Sequence, residues 1–170
     1  MLKIYTDGSC SKNGYEGSNG SFGVIVVTEN DICVHAYSSP RVDNTTNNRE
    51  EIKAILYAIK NFGSTEDDIV IYSDSSYAVN MFNQWFYSWR AKGWLKSDNK
   101  PPENLDLIYE YNELLKLNYK FSLNYVPGHV GNYWNELADK LATLSVKPDD
   151  IIGIDINKKV WYNYNIVKER

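Results

Sequence analysis

The chain has 170 residues, with 18 Lys+Arg against 22 Asp+Glu, a net charge of −4 and 43% apolar content. That length suits one domain, or one domain with an appendage, around a core that needs no staples, and the longest apolar run, Val24 to Val27, is far too short to cross a bilayer. Two cysteines, Cys10 and Cys33, cannot make a disulfide framework and fit a reducing cytosol, while the acidic balance argues on its face against a polyanionic partner.

Leu2-Lys3-Ile4-Tyr5 reads as a strand from the first residues, which leaves no room for a cleavable leader and makes a cytoplasmic protein the expectation. This strand stops at Gly8 and a polar loop runs from Ser9 to Ser21. Phe22 to Val27 and Ile32 to Tyr37 flank a Glu29-Asn30-Asp31 turn and predict a hairpin. After the cap-rich Asn44 to Asn48, the period changes: Ile52, Ile55, Leu56 and Ile59 mark a helix over Arg49 to Phe62, ended by Gly63. Ile69 to Tyr72 is a short β-branched run of the kind buried on both faces of a sheet. Tyr77 to Phe86 and Leu105 to Leu117 read as helices, separated by an aromatic and basic stretch from Trp85 to Lys100. Phe121 to Val126 alternates as a strand, and Leu137, Leu141 and Leu144 mark a last helix. Three strands followed by alternating helices and strands predict an α/β domain with a mixed sheet. Ile154-Asp155-Ile156 and Val160-Trp161-Tyr162 are expected to pair across Asn157-Lys158-Lys159 in a tail of uncertain role.

Asp7 and Asp74 share a context, each at the carboxyl end of a strand, after a hydroxyl residue and before a small one. Ligand sites of open α/β sheets lie at those strand ends, and two converging carboxylates need a cation between them or a retained proton. The competing reading is an Asx cap on the next turn. Glu51 falls on the sheet-facing stripe of its helix with Ile55 and Ile59, whereas Glu50 shares the solvated side with Lys53 and Tyr57. Glu51 is therefore a candidate ligand, with a capping box between Asn48 and Glu51 as the alternative. Asp139 is a further candidate, one helical turn after Asn135, or else a helix-flank acid. His129, in a Gly-flanked loop beside a carboxylate site, is a candidate for proton transfer. Four carboxylates with no Cys/His cluster point to Mg²⁺ or Mn²⁺ rather than zinc, and such clusters suit two-metal phosphodiester chemistry.

Thr6-Asp7-Gly8-Ser9-Cys10, Thr45-Thr46-Asn47-Asn48-Arg49-Glu50-Glu51, Ser73-Asp74-Ser75-Ser76-Tyr77 and Gly128-His129-Val130-Gly131, followed by Asn135-Glu136 and Asp139, occur in this order. Together they resemble type 1 ribonuclease H, whose members cleave the RNA strand of RNA–DNA hybrids. The resemblance implies a ribonuclease H-like mixed five-stranded sheet flanked by helices, the first three strands antiparallel and the last two parallel to strand 1. It places the catalytic domain over 1–145 and leaves 146–170 as an extension. It also implies two Mg²⁺ ions, replaceable by Mn²⁺, on Asp7, Glu51, Asp74 and Asp139, with His129 assisting proton transfer or product release and cleavage leaving a 5′-phosphate and a 3′-hydroxyl. The expected partner is a hybrid duplex, bound by a monomer with no membrane contact.

By the same resemblance, Cys10, Asn13, Thr46, Asn47, Asn48 and Ser76 contact the substrate, the loop groups reading 2′-hydroxyls in the minor groove. Trp85, Trp89, Arg90, Lys92 and Lys96 belong to a basic protrusion for the DNA strand, where four cations stand against the single acid Asp98. Packing within the core is the alternative for its tryptophans. Asn44, Ser88 and Ser76 depart from the family's usual Arg, Asn and Gln, which weakens the phosphate pocket and removes one groove contact. A catalytically silent hybrid-binding module and a superfamily nuclease acting on DNA are the competing functions. Two divalent cations would offset the net −4, so bulk charge excludes less than it first suggests, and hybrid binding without Mg²⁺ is expected to be weak.

Overall fold

The computed structural model describes residues 1–157. Its sheet has the order β3-β2-β1-β5-β6, built from β1 (Leu2–Ser11), β2 (Asn19–Thr28), β3 (Cys33–Ser38), β5 (Ile69–Ser73) and β6 (Phe121–Tyr125). β1, β2 and β3 are antiparallel, while β5 runs parallel to β1 and β6 parallel to β5, as expected. A short β4 (Val42–Asp43), not foreseen, adds to β2 at Asn19 and Gly20. β1 also continues past Gly8 to Ser11, because Ser9 and Cys10 pair with Ser21 and Gly20. The predicted loop thus shrinks to the turn between β1 and β2.

The helices are α1 (Asn47–Phe62), α2 (Ser76–Asn80), α3 (Phe86–Ala91), α4 (Leu105–Leu115) and α5 (Tyr133–Ala142). α1 starts two residues earlier than its apolar period suggests, because the Thr46 hydroxyl caps it by accepting from Arg49 N at 3.1 Å. One π-helical turn, Met81–Trp85, joins α2 to α3.

Alternation along the central strands divides the core between the two faces of the sheet. Ile4, Val24 and Val26 meet Ile52, Ile55, Leu56 and Ile59 of α1, together with Phe82, Phe86 and Ile108. Tyr5, Ile25 and Val27 meet Trp134, Leu137 and Leu141 of α5. Burying each large aliphatic or aromatic side chain contributes roughly 1.5–3 kcal/mol, so the two clusters clamp α1 and α5 onto opposite faces at the same end of β1.

Val146, Ile151 and Ile154 belong to the α5-side core, beyond the last helix. Cys33 N donates to Ile154 O and Gly153 N to Cys33 O (2.9 and 2.8 Å), and Ile32 bridges Asp155 in antiparallel fashion. Ile154 to Ile156 thus pairs with the chain around Asp31 to Cys33. The partner segment expected for it, Val160 to Tyr162, lies outside the described residues.

Candidate active site

The parallel register Thr6↔Ser73 brings β1 and β5 to the same level, so Asp7 and Asp74 leave neighbouring strands side by side. Above them α1 approaches very closely. A Cβ on Gly8 would lie 2.4 Å from Glu51 N and 2.6 Å from Glu50 C, so only glycine permits this approach. It sets Glu51 against Asp7. Ligand oxygens of Asp7, Glu51 and Asp74 all fall within 4.8 Å of one another. Asp7 and Glu51 are buried and Asp74 is half-buried.

Few donors neutralise this cluster. Gly8 N donates to Asp7 Oδ1 at 3.0 Å, and Asn135 Nδ2 to Asp74 Oδ2 at 3.4 Å. Glu51 Oε2 is buried without a hydrogen-bond partner. Burial, the Glu51 charge and contact with Glu51, then Asp74 and Asp139, push the Asp7 carboxyl far above its ordinary range. Burial likewise pushes Glu51 up to about 7, with its contact to Asp7 drawing it back and the Asp74 and Asp139 charges adding to it. The carboxyls cannot all ionise without a positive countercharge. An orphaned buried oxygen within an all-carboxylate set is the donor chemistry of a hard divalent cation, so these residues fit one.

Asp139, half-buried on α5, stands outside the tight trio, although its charge reaches both Asp7 and Glu51. The Asn48–Glu51 capping box does not form: Thr46 is the cap and Asn48 lies within the helix. Glu50 corrects the sequence reading outright. It is 0% exposed, accepting from Thr45 Oγ1 at 2.6 Å and Lys53 Nζ at 3.0 Å. His129 is exposed and adopts a left-handed backbone (φ 56°), directly after a Gly128 that lies against Asp74.

The proposed substrate residues divide between two surfaces. Cys10 Sγ donates to Thr45 O (3.4 Å) and Asn47 N to Asn13 Oδ1 (2.8 Å), so Cys10, Asn13 and Asn47 share one loop cluster beside the N-terminus of α1, where Thr46 and Asn48 also lie. Ser76 is exposed in the first turn of α2. Trp85, Trp89, Lys92 and Lys96 line a cavity of about 450 Å³ with Tyr77 and Ser88. Trp85 is exposed there, 5.4 Å from the Tyr77 ring and 6.1 Å from Trp89, while the Arg90 guanidinium lies over Phe86 and Tyr87. Trp94, in contrast, packs inward against Phe86 and Tyr109. Sequence reasoning misses Asn135 as the partner of Asp74; its signal is the one-turn spacing to Asp139 on the same helix face.

The RNase H family model matches residues 1–147. The ribonuclease H of Thermoanaerobacter sp. (strain X514) is 38% identical over 150 residues, covering 86% of this chain and 90% of that protein. Among solved structures, LC9-RNase H1, a type 1 RNase H with the type 2 active-site motif, matches with TM-score 0.68 and 27% identity over 94% of this chain and 79% of that one. A foamy viral protease–reverse transcriptase in complex with RNA/DNA hybrid shares the fold, with TM-score 0.73 and 23% identity over 84% of this chain and 19% of that one. With the sheet order, the carboxylate trio and these likenesses in agreement, the chain belongs to the RNase H family and is an RNase H enzyme.

Proposed function

We propose that the protein hydrolyses the RNA strand of RNA–DNA hybrids by two-metal-ion catalysis, leaving 5′-phosphate and 3′-hydroxyl ends. The observation that carries this reading is the buried Asp7–Glu51–Asp74 trio with its orphaned Glu51 oxygen, in a family that is metal-dependent. Asp7, Glu51, Asp74 and Asp139 would hold two Mg²⁺ ions, or Mn²⁺ in their place. When bound, such ions activate the attacking water and stabilise the leaving oxygen. Asn135 keeps one oxygen of Asp74 turned toward α5, and the Gly8 amide likewise fixes one oxygen of Asp7. His129, on its exposed loop, is suited to carry a proton between the site and water.

Cys10, Asn13, Thr46, Asn47 and Asn48 read the RNA strand in the minor groove, with Ser76 beside them. Trp85, Trp89, Arg90, Lys92 and Lys96 take the DNA strand; a relative sharing this fold has been captured on RNA/DNA hybrid. A silent binding module would not need a buried cluster of like charges, which costs stability and contributes nothing to holding a duplex. We also propose that the catalytic domain extends through Asn157, because Val146, Ile151 and Ile154 are core residues.

The test is cleavage of an end-labelled hybrid in Mg²⁺ by wild type, Asp7→Asn and Asp74→Asn. Wild type should cut only the RNA strand, and each variant should lose at least about a hundredfold in rate. An uncut hybrid, or undiminished variants, would overturn the reading.

A further inference from the structure

Glu50 lies next to a proposed metal ligand yet faces away from the carboxylate trio and takes no part in the proposed chemistry. We propose that Glu50 is a positioning residue that sets affinity for the RNA strand by holding together the loops that contact its 2′-hydroxyls; this rests on the hybrid-nuclease reading.

The Glu50 carboxylate is fully buried and bonded on two sides, to the Thr45 hydroxyl (2.6 Å) and to the Lys53 ammonium (3.0 and 3.1 Å). Thr45 is itself 4% exposed and lies where three segments meet. Its carbonyl accepts from Ser18 Oγ at 3.0 Å and from Cys10 Sγ at 3.4 Å, which ties it to the end of β1 and the start of β2. One residue earlier, Asn44 N donates to Ser18 O at 2.8 Å; two residues later, Asn47 N donates to Asn13 Oδ1 at 2.8 Å. These links, which join Cys10, Asn13 and Ser18 to the segment leading into α1, all lie within two residues of Thr45, and the Glu50 carboxylate anchors Thr45 to the helix.

The energetics favour this role over a neutral filler. A charge removed from water is costly unless fully paired, and deleting one partner strands the other. Loss of the carboxylate leaves the buried Thr45 hydroxyl without its acceptor and lets the loop relax. The trio keeps supports that do not involve the Glu50 carboxylate, the Gly8 amide on Asp7 and the Asn135 amide on Asp74. A residue acting in this way should change ground-state binding of the hybrid more than the chemical step.

The test compares wild type with Glu50→Ala, Glu50→Gln and Thr45→Val on an RNA–DNA hybrid, and on the same hybrid carrying one 2′-deoxynucleotide beside the scissile position. Glu50→Ala and Thr45→Val should raise KM roughly tenfold, the value of one buried hydrogen bond, with kcat within about twofold. Glu50→Gln keeps an acceptor for Thr45 and should recover most of the KM. The 2′-deoxy penalty should shrink in Glu50→Ala, since the interaction it removes is already loosened. An unchanged KM with a full 2′-deoxy penalty, or a fall in kcat at constant KM, would overturn the proposal while leaving the nuclease reading intact. If wild type leaves the hybrid uncut, that reading fails first. Amide exchange in the free protein then decides about Glu50: Cys10 and Asn47 should exchange faster in Glu50→Ala, and equal rates would overturn it.

Discussion

Gly128 sits so close to Asp74 that a Cβ at position 128 would come within 2.6 Å of Asp74 Oδ2 and 3.3 Å of its Cβ. The loop bearing His129 is thus built against the carboxylate that follows β5. The same oxygen is approached by the Asn135 amide, so loop and helix together fix where it points. Gly128→Ala should displace Asp74, lowering cleavage by at least about tenfold with little change in melting temperature, since the loop is on the surface. Parallel measurement of rate and thermal melting checks this, and an unaffected rate would show that the loop yields instead.

The carboxylate trio predicts opposite effects on stability and activity. With its carboxyl pushed far above the ordinary range, Asp7 must take up a proton when the chain folds without a cation, a cost that a neutral side chain avoids. In EDTA, Asp7→Asn should therefore be more stable than wild type by about 1 kcal/mol or more, or a few degrees in melting temperature for a chain of this size. Adding Mg²⁺ should raise the melting temperature of wild type and leave the variant nearly unchanged. Equal responses to Mg²⁺ would place the cation elsewhere.

The basic surface predicts a salt effect. Lys92 is exposed, and Lys96 is only loosely held by Asp98 at 3.8 Å. Replacing both by alanine should weaken hybrid binding and reduce the slope of log K against log salt by about 1 to 2, one for each phosphate that is no longer neutralised. An unchanged slope would mean that the DNA strand runs elsewhere.

A pH effect follows from His35, whose Nε2 lies 3.0 Å from the Tyr57 hydroxyl and whose ring meets Phe62 edge-on. Burial holds its pKa below the ordinary histidine value. As pH falls through that value the unfolded chain takes up the proton first, so stability is full above the unfolded pKa and declines below it. Urea unfolding between pH 5 and 8 should show wild type losing more stability on acidification than His35→Gln. Parallel pH profiles would exclude this histidine as the cause.

Much of this arrangement is legible in residue pattern alone, and the limits of that reading have physical causes. Asp7 and Asp74 stand out because they end two apolar, strand-forming runs, and Glu51 because it falls on the apolar stripe of α1. Glu50 is misread by the same stripe argument, which treats every position off the sheet-facing side as solvated. Glu50 is instead enclosed among Thr45, Lys53 and Gly8, with Thr45 held in place by contacts to Ser18 and Cys10, and no helical period records that. The extension of β1 is hidden likewise, because Ser9 to Ser11 carry no apolar alternation and are strand only through pairing with Asn19 to Ser21. Among the tryptophans of the basic stretch, for which core packing is the alternative, Trp94 takes that alternative and lies against Phe86, a choice that the residue pattern alone does not make.

The residues after α5 have a structural role that can be tested by truncation. A chain ending at Ser145 lacks Val146, Ile151 and Ile154 of the α5-side core and should be less stable by several kcal/mol than a chain ending at Asn157. Chemical denaturation of the two truncated proteins measures the difference.

The pairing of Gly153 to Ile156 with Asp31 to Cys33 also bears on the open edge of the sheet. A sheet of this order has two outer strands, each with a row of amides and carbonyls able to recruit a second chain. On β3 the protein's own tail occupies part of that row, and on β6 the Asn83 side chain donates to Leu123 O at 2.9 Å. The segment after α5 thus covers part of this edge, and shortening it would leave the Cys33 amide and carbonyl open to water or to another strand.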